Sequence, residues 1–148
     1  MFTALPPPQF WILHVDGSAM PNPGRMAVGI VLTAPDGGYY AKALRLQGTG
    51  CNNEAELQAL RIGLAEAKAR EVRCLRIYTD SQWLVQQLAQ APHGAQRARK
   101  TMRLQSQLAV VQGILQTLEH VHWRWVPRHC NAQADALARE AHNTCSKC

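Results

Sequence analysis

The hydrophobic period of this chain first changes at Asn52-Asn53, and that change restricts the fold more than any other feature. Before it, every apolar run has strand character. Phe10–Val15 is a short apolar run that stops at Asp16-Gly17-Ser18, and Met20-Pro21-Asn22-Pro23-Gly24 is loop. Met26–Thr33 is rich in β-branched residues, Pro35-Asp36-Gly37-Gly38 is a hairpin signal, and Tyr39–Leu46 returns as its partner. The expected product is a three-stranded antiparallel meander. After the change, Asn52 and Asn53 read as N-caps, and Leu57, Leu60 and Leu64 follow at helical spacing to about Arg70. Cys74–Thr79 alternates and stops at Asp80-Ser81; a helix covers Gln82–Gln90, and Ala91-Pro92-His93-Gly94 breaks it. A further helical pattern spans Gln96–Glu119, and Val121–Val126 is the last strand, with Trp123 and Trp125 on one face as core. Asn131 opens a terminal helix through His142. Strands, helix, strand, helices, strand, helix predicts an α/β protein with a five-stranded mixed sheet flanked by helices. At 148 residues one domain is expected, over 10–143, between short tails at 1–9 and 144–148.

Four acidic residues stand at the junctions of this pattern: Asp16, Glu56, Asp80 and Asp135. Each has a purely local explanation. Asp16 suits a turn, Glu56 completes a capping box with Asn53, Asp80 caps the following helix, and Asp135 favours a helix first turn. Taken together they suggest something else, because ligands of open α/β sheets bind outside the strand ends. Four converging carboxylates repel one another unless cations neutralise them, and hard divalent metals take oxygen ligands. The chemistry this implies is metal-assisted attack of water on a phosphodiester. Glu54 lies two residues from Glu56, so only one of the pair can face such a site.

The charge balance agrees with a polyanionic partner: the net charge is +6 and the pI near 9.4. No acidic residue occurs between Ser81 and Leu118, where Arg97, Arg99, Lys100 and Arg103 cluster as a phosphate-contacting patch or a solvated helix face. No apolar run approaches the ~20 residues of a membrane span. Met1–Phe10 carries three consecutive prolines and lacks the basic start of a signal peptide, so a cytoplasmic location is expected. Five cysteines, an odd number without framework spacing, suit a reducing compartment. Cys145 and Cys148 form a lone C-x-x-C with no second ligand pair upstream.

Four motifs in order then carry a resemblance. They are His14-Val15-Asp16-Gly17-Ser18 with Asn22-Pro23-Gly24, Asn52-Asn53-Glu54-Ala55-Glu56-Leu57, Tyr78-Thr79-Asp80-Ser81-Gln82, and Trp125-Val126-Pro127-Arg128-His129 leading into Asn131-Ala132-Gln133-Ala134-Asp135. With them the chain resembles the type 1 ribonuclease H family from Trp11 to about His142, and the expected architecture is the ribonuclease H-like fold. The resemblance implies cleavage of the RNA strand of RNA–DNA hybrids, leaving 5′-phosphate and 3′-hydroxyl ends. It implies two Mg²⁺ ions, replaceable by Mn²⁺, held by Asp16, Glu56, Asp80 and Asp135, and it selects Glu56 over Glu54. Asn22, Asn52, Asn53 and Gln82 match positions that touch sugar 2′-hydroxyls and base edges. Amide side chains suit that task because they both donate and accept. Trp83, just after Gln82, is a candidate for stacking near the DNA backbone.

Three departures from the family pattern stand out. The segment between His129 and Asp135 is short, so His129 either replaces the usual loop histidine in product release or occupies a nearby surface position. Cys51 stands where many relatives have a Thr that binds a DNA-strand phosphate, and a thiol is a poorer donor. The basic segment around Arg97–Arg103 has no aromatic closer than Trp83, which implies a reduced handle on the substrate. No obligate protein partner is expected, and a monomer is the default. Two other readings stay open: a binding module of the same fold without catalysis, and another nuclease of the superfamily.

Overall fold

The computed structural model describes residues 7–89 and 102–143. Arg97, Arg99, Lys100, the predicted break at Ala91–Gly94, Cys145 and Cys148 lie outside the described residues. The elements run β1 (Trp11–Met20), β2 (Gly24–Thr33), β3 (Tyr39–Gly50), α1 (Asn52–Ala69), β4 (Cys74–Thr79), α2 (Gln82–Leu88), α3 (Met102–Leu115), β5 (His120–Trp125) and α4 (Ala132–Asn143). A 3₁₀ turn at Arg128–Asn131 leads into α4. The five strands form one sheet in the order β3-β2-β1-β4-β5. β1, β2 and β3 pair antiparallel, whereas β4 joins β1, and β5 joins β4, in parallel. This is the expected mixed sheet.

Alternation along β1 assigns the two faces. Leu13 and Gly17 face α1: Leu13 packs at Gly63, and the backbone of Ala55 and Glu56 lies directly over Gly17. On the other face, Gly29, the cross-strand partner of Asp16, lies under Ala134 and Ala138 of α4. The main core lies on the α1 face, where Leu13, Val15, Ile30, Leu57, Leu60 and Ile77 are wholly buried. α3 packs against α1 from outside, and α4 covers β1, β2 and β3 on the opposite face.

A Cβ at residue 29 would collide with the Ala134 carbonyl, which is backbone and cannot swing aside. Gly29→Ala is therefore expected to push α4 off the sheet and to cost about 2–4 kcal/mol in urea denaturation. An unchanged midpoint would contradict this packing.

Three sequence expectations need correction here. β1 does not stop at Val15; it continues through Asp16-Gly17-Ser18 to Met20, because β2 offers paired residues along its whole length. Asn52 and Asn53 do not cap α1: Cys51 is the N-cap residue and makes no side-chain cap bond. Trp123 packs against the core, but Trp125 remains 46% exposed, its Nε1 donating to the Asp80 carbonyl at 3.1 Å.

Candidate active site

The site exists because β4 is shorter than β1. Their pairing covers only Trp11–His14 against Leu75–Tyr78. Beyond that point the β4-facing edge of β1 has no strand beside it, and bare buried backbone groups are costly. Side chains complete the edge instead. Asn131 Nδ2 donates to the Val15 carbonyl at 2.8 Å, Gly17 N–H donates to Glu56 Oε1, and Ala19 N–H donates to Asn52 Oδ1 at 2.8 Å. Asn22, from the β1–β2 turn, accepts the Asn52 N–H at 3.0 Å and so holds the first turn of α1. The backbone of β1 thus draws Glu56 to the sheet end where Asp16 and Asp80 already lie.

Asp16, Glu56 and Asp80 each present an oxygen within 4.8 Å of the others. Asp16 and Glu56 are buried, at 6% and 7% exposure. Burial, and then the charges of Asp80 and Asp135, push the Asp16 carboxyl up to about 7. Burial also holds Glu56 well above the usual carboxylate range, with Asp16 and Asp80 adding to the effect and the Gly17 N–H opposing it. Asp80 is raised by burial, with Arg128 working against the shift. Asp80 Oδ2 is buried and accepts no hydrogen bond among the described residues. An all-oxygen donor set, mutual repulsion and an orphaned acceptor together fit a hard divalent cation.

Asp135 sits on α4 beside Asp16 and lines the same cleft of about 450 Å³. It is not one of the close trio; Arg139, one turn on, grips its Oδ2 at 2.6 Å. Asn52, Asn53, Gln82 and Trp83 also line this cleft, together with Arg128 and Arg139. Asn22 reaches the cleft through its bond to Asn52. His129 is exposed on the 3₁₀ turn.

The local explanations of Asp16, Glu56 and Asp80 fail one by one, whereas Asp135 does lie in the first turn of α4. Ser81, not Asp80, caps α2 by accepting from the Leu84 N–H at 3.1 Å. Glu56 bonds the backbone of β1 and not its own helix start. Asp16 lies within a strand and not in a turn. Glu54 turns away from the site and holds Arg103 of α3 at 2.8 Å, so the charge of Arg103 is already matched. Sequence reasoning missed Asn131, Arg128 and Arg139 as contributors. The i,i+4 spacing of Asp135 and Arg139 was the available signal for the last; nothing local marks Asn131 as the residue that closes the β1 edge.

A five-stranded mixed sheet with carboxylates converging where the short β4 ends beside the central β1 defines the class. A profile described as reverse transcriptase-like matches residues 14–141. The Ribonuclease HI of Halobacterium salinarum is 35% identical over 130 residues, which cover 86% of this chain and 62% of that protein. The chain therefore spans about three-fifths of that relative's length. A Ribonuclease H of Dinoroseobacter shibae is 32% identical over 140 residues, covering 86% of this chain and 87% of the relative. Among solved structures, that of LC11-RNase H1 in complex with an RNA/DNA hybrid superimposes with a TM-score of 0.75 at 25% identity, over 90% of this chain and 97% of the other. The chain belongs to the type 1 ribonuclease H family.

Proposed function

We propose that this protein is an endonuclease that hydrolyses the RNA strand of RNA–DNA hybrids. Asp16, Glu56, Asp80 and Asp135 would hold two Mg²⁺ ions. The observation that carries this reading is the trio of carboxylate oxygens within 4.8 Å, one residue of which has an orphaned buried acceptor. When bound, such cations supply Lewis-acid activation of water and of the scissile phosphate, giving 5′-phosphate and 3′-hydroxyl ends. The residues of the chain do the rest. The short β4 leaves an open end through which a phosphate can approach the carboxylates. Arg128 lines the cleft and offsets the charge of an incoming strand, while Arg139 is matched by Asp135.

Asn52 and Asn22 spend their oxygens on the protein backbone, so the NH₂ group is what each has to offer 2′-hydroxyls. Asn53 and Gln82, both exposed, supply further amide contacts. His129 assists product release by exchanging a proton near the leaving end. A monomer acting in the cytoplasm completes the reading. A binding module without catalysis is the weaker alternative, because all four carboxylates are present.

The test is a substrate panel. Labelled hybrid, single-stranded RNA, double-stranded RNA and double-stranded DNA are incubated with the protein in Mg²⁺ and in Mn²⁺. Preferential cleavage of the hybrid is expected; binding without cleavage in either metal would leave the module reading in its place. Trp83, which packs on the core and lines the cleft, supports the DNA strand. Trp83→Ala should raise KM for hybrid more than it lowers kcat, and equal losses in both would remove the residue from substrate binding.

A further inference from the structure

The sheet has a second exposed surface that the catalytic reading does not use. α4 covers β1, β2 and β3, while the same face of β4 and β5 carries exposed side chains. The parallel register sets these out as rows. Arg76 lies beside His122, and one step nearer the carboxylates Tyr78 lies between His14 and Arg124. Residues two apart on a strand are ~6.6 Å apart, so the rows step regularly toward Asp80. Arg76, His120, His122 and Arg124 are exposed; His14 and Tyr78 are half-buried.

Two ring stacks pave this face. His14 and Tyr78 lie 4.7 Å apart at 28°, and Phe10 lies 4.6 Å from His122 at 26°. The Arg76 guanidinium lies over the Phe10 ring, 4.8 Å from its centroid. Neither β4 nor β5 contains an acidic residue. An apolar protein surface would not favour two arginines and three histidines in this setting, whereas flat rings interleaved with guanidinium groups match unpaired bases and their phosphates. The rows also lead to the catalytic carboxylates without interruption, since Asp80 directly follows β4.

From this we infer that the open β4–β5 face, with Arg76 and Arg124 contacting phosphates and Tyr78 and His122 offering stacking surfaces, binds a single-stranded nucleic-acid extension of the hybrid, while Phe10 supports His122 from below. The inference rests on the hybrid-cleaving reading and extends it. The substrate is then a hybrid next to an unpaired tail and not a blunt duplex. The tail belongs to either the RNA or the DNA strand, and both present the same bases and phosphates to this face.

Fluorescence anisotropy in EDTA tests it with four labelled ligands: a blunt hybrid, hybrids with a six-nucleotide RNA tail or a DNA tail, and a hybrid with a double-stranded DNA extension. One tailed hybrid is expected to bind about tenfold tighter than the blunt one, and which tail does so identifies the strand. Its salt dependence should be steeper by about 1.4 in log Kd per log salt, for two phosphate contacts. Arg76→Ala with Arg124→Ala should abolish both differences while the blunt hybrid is still cut at the wild-type rate. Equal binding of blunt and tailed hybrids, or a tail preference that survives in the double variant, overturns the inference. Cleavage of the blunt hybrid by wild type in Mg²⁺ is read separately. Its absence sinks the nuclease reading, whereas the anisotropy comparison reports on the sheet face alone.

Discussion

Asp80→Asn is expected to reduce cleavage of an RNA–DNA hybrid by a thousandfold or more while raising the melting temperature in EDTA. Both effects come from one carboxylate. Its Oδ2 is buried with no partner among the described residues, a poor arrangement for stability and a good one for a cation. Burial raises the pKa of Asp80 in the folded protein, so its ionised form is less favourable there than in the unfolded chain. An amide of the same shape removes that charge and the repulsion on Asp16 and Glu56. It also removes the negative oxygen that a divalent ion requires, and the loss should fall on kcat. Circular dichroism melts in EDTA beside a gel assay in Mg²⁺ separate the two. A variant that lost activity and stability together would mark Asp80 as structural.

The second large effect is a pH dependence that the metal should cancel. Asp16 has a carboxyl pushed up to about 7 in the folded protein, against 3.8 for the ordinary side chain. Because the folded-state value is the higher, the folded form binds the proton more tightly. The associated stability is complete below the unfolded value and is lost as pH rises through about 7. For this group alone the loss between about pH 5 and about pH 8 is on the order of 2–3 kcal/mol. Glu56 shifts in the same direction, so the observed slope should not be smaller. A divalent cation held by the ionised cluster of the folded protein only would return about 2.7 kcal/mol at a hundredfold excess over its Kd. Urea titrations at the two pH values, each with EDTA and with Mg²⁺, should show Mg²⁺ stabilising at the higher pH and doing little at the lower. Equal stabilisation at both would separate metal binding from the carboxylates.

Much of this architecture was legible because each element declares its own period. The hairpin from Gly24 to Gly50, the alternation of Cys74–Thr79 and the leucines of α1 are local signals, and the sheet order follows from them by few routes. The convergence of Asp16, Glu56 and Asp80 was legible by position. What could not be read is who completes whose backbone. Asp16-Gly17 looks like a turn by composition, yet β2 pairs with it and makes it strand. Asn52 looks like a cap, yet its oxygen serves Ala19 while Asn22 serves its own N–H. Those bonds cross 33 and 30 residues of sequence, and no window of propensity contains them. The same holds for Asn131, whose amide reaches Val15 across 116 residues. Trp125 was read as core from the Trp-x-Trp spacing, but it remains half-exposed at the end of the edge strand β5.

The most direct test of the whole account is strand-specific. A hybrid with different fluorophores on its RNA and DNA strands is incubated with wild-type protein, once in Mg²⁺ and once in EDTA. The RNA strand should be shortened in Mg²⁺ alone, with 3′-hydroxyl ends that a polymerase can extend, while the DNA strand stays whole. Cutting of the DNA strand, cleavage that persists in EDTA, or an intact hybrid in Mg²⁺ would each contradict it.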